Sequence, residues 1–571
     1  MKKLMLGNAA IARGAYEAGV TFASAYPGTP STEITEEIAK YDEIYAEWAP
    51  NEKVAFEAAI GASIAGARAI VSMKHVGLNV AADPLFTFAY TGVNGGFVCV
   101  VADDPGMHSS QNEQDSRMYG RSAHVPMLEP SDSQEAKDYI KAAYELSEKY
   151  DLPVLVRTTT RLSHSNSFVT LEDRKQIPLK EYVKDVAKYV MMPSNAKLRH
   201  IALEEKMKKL AIEANTLDFN RAIIKSSNLG VVCSGDVYQY VTEALPDASV
   251  YKIGLINPLP IEAIRGFSEK VKRLIVIEEL EGVIEEQLKA HGIACEGKEI
   301  FGYQGELSVA QIKQKLLNID YKAETKDIPV RPPVLCAGCP HRGVFYVLNK
   351  LKLTVSADIG CYTLGALPPL NAVDSVICMG ASIGVAHGFN KVNRGRRNVV
   401  SVIGDSTFIH SGITSLINSV YNNSDGVLII LDNSTTGMTG HQDHPATGRT
   451  LKGEITDKLD LTALVKACGI KRVFEIDSYD MNALETAIKN ELNEDKMSVI
   501  IAKRACRLLT KETVKPYIID AKCKKCGMCM KIGCPAISKA RDNSVKIDSA
   551  VCVACGLCSD MCKFGAIKET E

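Results

Sequence analysis

Eight cysteines gathered between Cys523 and Cys562 constrain this chain more than any other feature of its 571 residues. They form two runs, Cys523-x2-Cys526-x2-Cys529-x4-Cys534-Pro535 and Cys552-x2-Cys555-x2-Cys558-x3-Cys562. A cuboidal iron–sulfur cluster needs four thiolates. Three at x2 spacing wrap one cluster, and the more distant cysteine of each run reaches the other. This assigns Cys523, Cys526, Cys529 and Cys562 to one 4Fe-4S cluster, and Cys534, Cys552, Cys555 and Cys558 to a second. Gly527 and Gly556 follow the second cysteine of each run, where tight turning favours glycine. Zinc would instead call for separated CxxC pairs.

The rest of the composition narrows the class. Of 17 cysteines only Cys99, Cys233 and Cys295 fall in the first 330 residues, unlike a short, evenly stapled secreted scaffold. Lys+Arg number 67 against 68 Asp+Glu, a net charge of −1 that gives no support to nucleic-acid binding. No apolar run reaches the ~18–20 residues that span a bilayer. The N-terminal stretch breaks its apolar run at Asn8, so it does not read as a secretory leader. The expectation is a cytoplasmic protein with metal-bound thiolates and no membrane or nucleic-acid partner.

A single core stops growing at ~250–300 residues, so several domains are expected. Residues 1–165 alternate apolar runs (Val20–Tyr26, Ala69–Met73, Phe97–Ala102, Val154–Val156) with helical patterns (Gly7–Gly19, Glu33–Tyr41, Glu52–Ala67, Ser133–Lys149). That alternation predicts a parallel sheet with helices on both faces. Residues 166–227 are charged and irregular and read as a connector or helical excursion. A second α/β block covers 228–322, with strands predicted at Leu229–Cys233, Val250–Leu255 and Arg273–Glu278. Residues 323–333 look like a linker. A third α/β block spans 330–510, and the cysteine-rich tail, 513–571, reads as a separate module.

In the third block, Gly404-Asp405-Ser406 closes the predicted strand Asn398–Ile403, and Asp432-Asn433-Ser434-Thr435 closes Gly426–Leu431. In a parallel β-helix-β unit both strands finish at one sheet edge, where ligands bind. Asp405 and Asn433 thus offer a carboxylate and an amide oxygen to a hard cation such as Mg²⁺, which also takes phosphate oxygens. Gly404 allows backbone to approach a phosphate. The stretch resembles the thiamine-diphosphate (ThDP) motif, Gly-Asp-Gly followed some thirty residues later by Asn. Here the step from Asp405 to Asn433 is 28 residues, and Ser406 replaces the last glycine. The resemblance implies the Thr435 carbonyl as a third cation ligand. ThDP enzymes also use a glutamate that activates the aminopyrimidine ring, with a glycine nine positions on. Glu52 and Gly61 have that spacing, whereas Glu57 does not and reads as a helix-surface or interface carboxylate. A helix-start charge is the alternative for Glu52.

The tail resembles bacterial-type two-cluster ferredoxin domains, departing in the x4 before Cys534 and in Lys563, which stands where proline is usual. Taken together, the motifs resemble the ThDP-dependent 2-oxoacid:ferredoxin oxidoreductases over essentially the whole chain. The implied fold is multi-domain α/β: a pyrimidine-binding domain, a transketolase-C-like domain, a diphosphate-binding domain and a terminal ferredoxin-like domain. The implied activity is oxidative decarboxylation of an aryl 2-oxoacid, indolepyruvate foremost, with coenzyme A as acyl acceptor and ferredoxin as electron acceptor. It carries with it ThDP, Mg²⁺, two 4Fe-4S clusters, a smaller beta subunit, a hetero-oligomer with two copies of this chain, and an anaerobic setting. Other 2-oxoacids (pyruvate, 2-oxoglutarate), a non-oxidative ThDP decarboxylase and a non-catalytic electron-transfer subunit are the rival readings.

By the same resemblance, Tyr26-Pro27-Gly28-Thr29-Pro30-Ser31 is a substrate loop whose Thr29 hydroxyl touches substrate, and Arg117 or Arg121 binds its carboxylate. Thr29 as a helix N-cap and a surface arginine are the structural alternatives. His75 and His410 lie near the expected site as candidate proton relays. Cys336-x2-Cys339, with Cys361 and Cys506, falls where related oxidoreductases hold a third cluster close to ThDP. A structural or zinc-binding CxxC is the alternative there. Cys99, Cys233, Cys295, Cys378 and Cys468 read as core thiols.

Overall fold

The computed structural model describes residues 1–319, 329, 332–392, 398–510 and 514–570. The chain divides into two compact units, Met1–Lys326 and Asp327–Glu571. Most of the predicted linker 323–333 lies outside the described residues.

In the first unit a seven-stranded sheet runs Leu255–Asn257, Met127–Leu128, Val154–Thr159, Phe97–Asp103, Ala69–Lys74, Phe22–Ala25, Tyr45–Trp48. Its neighbours are parallel except the first pair. The strands Ala69–Lys74, Phe97–Asp103 and Val154–Thr159 are buried at every position. Hence they read as continuous apolar runs and not as alternating ones. The covering helices include Gly7–Glu17, Glu52–Ile64 and Ser133–Tyr150, the last capped by the Asp132 side chain, which accepts from Glu135 N.

A second sheet, ordered Arg273–Val276, Leu229–Ser234, Ser249–Ile253, Arg221–Ile223, is parallel except for its last strand. The predicted strand 250–255 is in fact two. Ser249–Ile253 stays in this sheet, while Leu255–Asn257 crosses to the edge of the first. Gly254 is the crossing point, and a Cβ there would lie 2.5 Å from the Tyr139 hydroxyl and 2.7 Å from the Phe219 carbonyl oxygen. No residue with a side chain fits this switch without displacing both sheets' neighbours.

The stretch 166–227 is more ordered than a connector. Asn166–Thr170 pairs antiparallel with Lys2–Leu6, Pro193–Glu213 is a long helix, and Arg221–Ile223 joins the second sheet. Asp151 pins this excursion to the domain. Its carboxylate accepts from Val93 N at 2.9 Å, Lys188 Nζ at 2.8 Å, Arg199 Nη2 at 3.1 Å and Lys206 Nζ at 2.8 Å.

In the second unit a fully parallel five-stranded sheet runs Thr354–Ala357, Val399–Gly404, Val427–Asp432, Ser498–Lys503, Val473–Asp477. The tail adds two antiparallel pairs, Tyr517–Ile519 with Ile567–Glu569 and Ile537–Lys539 with Val545–Ile547. It is not a separate module. Ile532, Leu557, Met561 and Ile567 share one core with Phe345, Leu348, Leu484 and Ile488 of the α/β block. Among the described residues no helix is long and apolar enough to cross a membrane.

Candidate active site and cysteine centres

The strands Val399–Gly404 and Val427–Asp432 are parallel neighbours, so their ends deliver Asp405 and Asn433 to one sheet edge. Asp405 is buried; Oδ1 accepts from Ser406 N and Oδ2 from Ser434 N, both at 2.8 Å. The Asn433 side-chain oxygen lies 3.1 Å from both Asp405 Oδ1 and the Thr435 carbonyl oxygen. Three acceptors facing one another in a buried site repel unless the amide turns to donate or a cation sits among them. The donor set, one carboxylate, one amide and one carbonyl, is the chemistry that suits Mg²⁺. Sequence reasoning missed two neighbours. His444 accepts from Ala446 N through Nδ1 and places Nε2 3.4 Å from Asp405 Oδ2. Asp432 has its pKa raised by burial and by the adjacent Asp405. Ser406, in place of the motif's glycine, has its hydroxyl 3.0 Å from Thr436 Oγ1, which donates to it. Gly404 packs under Tyr362, whose ring would lie 2.7 Å from a Cβ there.

Next to this triad, Cys336, Cys339, Cys361 and Cys506 line one cavity of about 240 Å³ together with His341, Asn433, Gly437 and His441. Asn433 therefore belongs to both the oxygen triad and the cavity wall. A Cβ on Gly437 would fall 3.5 Å from Asn433 Nδ2 and 3.6 Å from Cys361 Sγ. Burial pushes the Cys339 thiol up to about 12 and Cys361 to about 11. As free groups these thiols stay protonated; iron would draw them to thiolates. His341 is buried and its pKa is lowered to about 4, so it faces the cavity as a neutral ring. Among the described residues no three His, Cys, Asp or Glu groups converge on a point that would hold a single metal ion. A cluster asks for something different, four thiolates at separate corners.

In the tail, Cys523, Cys526, Cys529 and Cys562 line one cavity, three from the first run and one from the second. Burial raises the Cys558 thiol to about 12, and Cys555, Cys534, Cys552 and Cys529 act on it in the same direction. Gly527 and Gly556 both take left-handed backbone, φ +71° and +83°. Backbone N–H groups point at sulfur: Ala566 N to Cys562 Sγ at 3.3 Å, Lys525 N to Cys523 Sγ and Tyr517 N to Cys552 Sγ at 3.4 Å. Such bonds raise a cluster's potential. Gly338, inside the Cys336–Cys339 loop, lies directly against Val553, inside the Cys552–Cys555 loop. Buried Arg342 spans the same gap, donating to Cys336 O at 2.9 Å and Ile532 O at 3.1 Å.

In the first unit Glu52 opens the helix Glu52–Ile64 behind the Asn51 cap, which accepts from Val54 N at 2.9 Å. It is 5% exposed. Gly77 lies against it, with the Cβ position 2.7 Å from Glu52 Cγ and 2.8 Å from Oε1. Glu57 is exposed and pairs with Lys53. Gly61, nine residues after Glu52, has no atom within 4 Å of its Cβ position.

The Thr29 loop does not cap a helix as one reading of the sequence expected. The helix is Thr32–Ile38 and its N-cap is Ser31. The two candidate arginines separate cleanly. Arg117 is 2% exposed and its guanidinium is held by Asp115 (2.6 Å), Glu278 (2.7 Å) and the carbonyls of Glu279 and Glu281. With Arg157, Asp103 and Glu129 it forms a buried ion lattice between the two sheets, so Arg117 is a structural group with no guanidinium face to spare. Arg121 lies on the surface. His75 is buried and its pKa is lowered by that burial. His410 is buried with Nδ1 2.5 Å from Ser411 Oγ.

Residues 13–222 match the family described as pyruvate flavodoxin/ferredoxin oxidoreductase, thiamine diphosphate-binding. Residues 358–502 match the C-terminal thiamine pyrophosphate-binding domain of thiamine pyrophosphate enzymes, and 545–568 a 4Fe-4S binding domain. The first match runs through most of the stretch expected to be a connector. The chain is 42% identical to indolepyruvate oxidoreductase subunit IorA of Archaeoglobus fulgidus, covering 100% of this chain and 98% of that one. It is 39% identical to the same subunit of Pyrococcus horikoshii, covering 100% and 97%. A 2-oxoglutarate synthase subunit KorA of Methanothermobacter thermautotrophicus is 31% identical over 30% of this chain and 48% of its own.

Proposed function

Since the chain belongs to the indolepyruvate oxidoreductase IorA subunits, ThDP-binding oxidoreductases of 2-oxoacids with a 4Fe-4S domain, we propose that it decarboxylates aryl 2-oxoacids oxidatively, indolepyruvate foremost. One 2-oxoacid, one CoA and two oxidised ferredoxins yield one aryl-acetyl-CoA, CO₂, two reduced ferredoxins and a proton. Bound ThDP supplies the carbanion chemistry that cleaves the carboxylate. Glu52, in a buried place that Gly77 keeps open, would hold a proton at the aminopyrimidine nitrogen of bound ThDP. Asp405, Asn433 and the Thr435 carbonyl would hold Mg²⁺ for the diphosphate, with Gly404 and Ser406 lining that approach.

The observation that carries this reading is Asn433, shared between the oxygen triad and the four-cysteine cavity. It supports a third cluster on Cys336, Cys339, Cys361 and Cys506, beside the diphosphate end and against the loop of the second tail cluster. Cys534, Cys552, Cys555 and Cys558 would hold one tail cluster and Cys523, Cys526, Cys529 and Cys562 the other, and the pair would supply one-electron carriers on the way to ferredoxin. The relatives' designation as a subunit supports a partner chain. The test is anaerobic: the two-subunit complex is mixed with indolepyruvate and CoA and followed near 400 nm. Bleaching that needs both substrates is the expected result. Decarboxylation without bleaching would refute the oxidative reading.

A further inference from the structure

The segment from Lys74 to Gly77 joins the strand Ala69–Lys74 to the short helix after it, at the carboxyl edge of the first sheet. One end meets Glu52 through Gly77; the other meets the substrate loop, where a Cβ on Gly28 would lie 3.3 Å from Lys74 Cβ. Lys74 is 8% exposed. Its ammonium donates to the Ser109 carbonyl at 2.7 Å, and the Ser109 hydroxyl reaches on to the Thr29 carbonyl at 3.4 Å.

Among the described residues Lys74 has no ion-pair partner. The nearest opposite charge, Asp104, is engaged elsewhere. Its oxygens accept from Ser109 N (2.8 Å), Ser110 Oγ (2.6 Å) and Thr160 Oγ1 (2.6 Å). A buried ammonium with one neutral hydrogen bond is costly, and an anion brought against it offsets that cost. Arg117, the buried rival, is already consumed by carboxylates, and Arg121 is on the surface.

We propose that the Lys74 ammonium is the group that binds the carboxylate of the 2-oxoacid, between the Thr29 loop and Glu52. This rests on the oxidoreductase reading above. A carboxylate that must leave as CO₂ is best held by one adjustable cation, because a tight bidentate clamp would stabilise the ground state equally. Burial lowers the Lys74 pKa to about 8, with Asp104 acting against it. The other titratable groups near it are His75, on the next residue, Asp103, which acts on His75, Glu52 against Gly77, and the His164–Glu33 pair beyond Asp104. The free site therefore loses its cation as pH rises past about 8, and carboxylate affinity falls with it.

The test uses the whole complex and an unreactive aryl-propionate beside its neutral amide, by equilibrium binding from pH 7 to 10. Carboxylate binding should weaken about tenfold per pH unit above the Lys74 pKa, while amide binding stays flat. Lys74→Met should weaken carboxylate binding and raise KM on the order of a hundredfold. It should leave amide binding, ThDP affinity and the dithionite-reduced cluster spectrum unchanged. Lys74→Arg should retain binding and lose the pH dependence. Equal pH profiles for acid and amide, or a Lys74→Met complex that binds the acid within threefold of wild type, would overturn the inference. Because this is a binding measurement, its result is independent of turnover. A wild-type complex that binds the acid yet never bleaches its clusters would sink the oxidative reading and leave Lys74 standing.

Discussion

Gly77→Ala isolates the placement of Glu52 from its chemistry. The new methyl carbon would sit 2.7 Å from Glu52 Cγ and 2.8 Å from Oε1. Carbon contacts relax at ~3.5 Å or beyond, so the carboxylate must retreat by about 0.7 Å. A displacement of about 1 Å at a reacting group costs on the order of a hundredfold in rate, about 2.7 kcal/mol. Stability should move the other way. Gly77 sits in the helix His75–Val80 without left-handed backbone, and alanine is favoured over glycine there by ~0.5–1 kcal/mol. The signature is thus kcat down about a hundredfold in an enzyme whose Tm is equal or slightly higher. Steady-state reduction of a ferredoxin-like dye and a thermal melt, both anaerobic, read it. Wild-type kcat in Gly77→Ala, or activity and Tm falling together, would refute the argument that this glycine exists to seat the carboxylate.

Other outcomes follow from the geometry. Cys361→Ser should cut iron from about twelve to about eight atoms per chain while the tail clusters keep their spectra; wild type with only about eight would remove the third cluster. Asp405→Asn, or chelation of divalent cations, should weaken ThDP binding on the order of a hundredfold, about 2.7 kcal/mol, without changing the iron content. Asp151→Ala should cost about 2 kcal/mol and speed proteolysis within Pro193–Glu213, as three cations lose their anchor. Burial alone would raise the Asp151 pKa, but the bonds from Lys188 and Lys206 hold it below the usual range. Its contribution is therefore full above the unfolded value near 3.9 and lost as pH falls through the folded one. In wild type, Pro193–Glu213 should become protease-sensitive on acidification; no acid-dependent change would refute this anchor.

The expected grouping of the tail cysteines rests on short spacing, three sulfurs a few residues apart facing one point, and the fold lines one cavity with Cys523, Cys526, Cys529 and Cys562. The sheet edge carrying Asp405 and Asn433 was legible for the same reason, two adjacent parallel strands ending together. Arg117 was not, since its acceptors Glu278, Glu279 and Glu281 come from a distant segment, and a guanidinium's availability is a property of the packed fold. Lys74 and Gly77 belong to no motif; their meaning lies in what Gly28 and Glu52 bring against them. The sheet switch at Gly254 hid inside a run that looked like one strand. The tail's attachment was hidden too, because its core residues meet partners on helices well before the tail in sequence.

That attachment has a kinetic consequence. Gly338 meets Val553, Tyr479 donates to the Gly338 carbonyl at 2.6 Å, and Arg342 ties Cys336 to Ile532. A tail held this way is no tethered carrier swinging between donor and acceptor. With clusters in both cages, transfer between them would be governed by a fixed separation and by the driving force. Thickening the solvent with glycerol should slow the encounter with external ferredoxin and leave the internal electron step at its original rate.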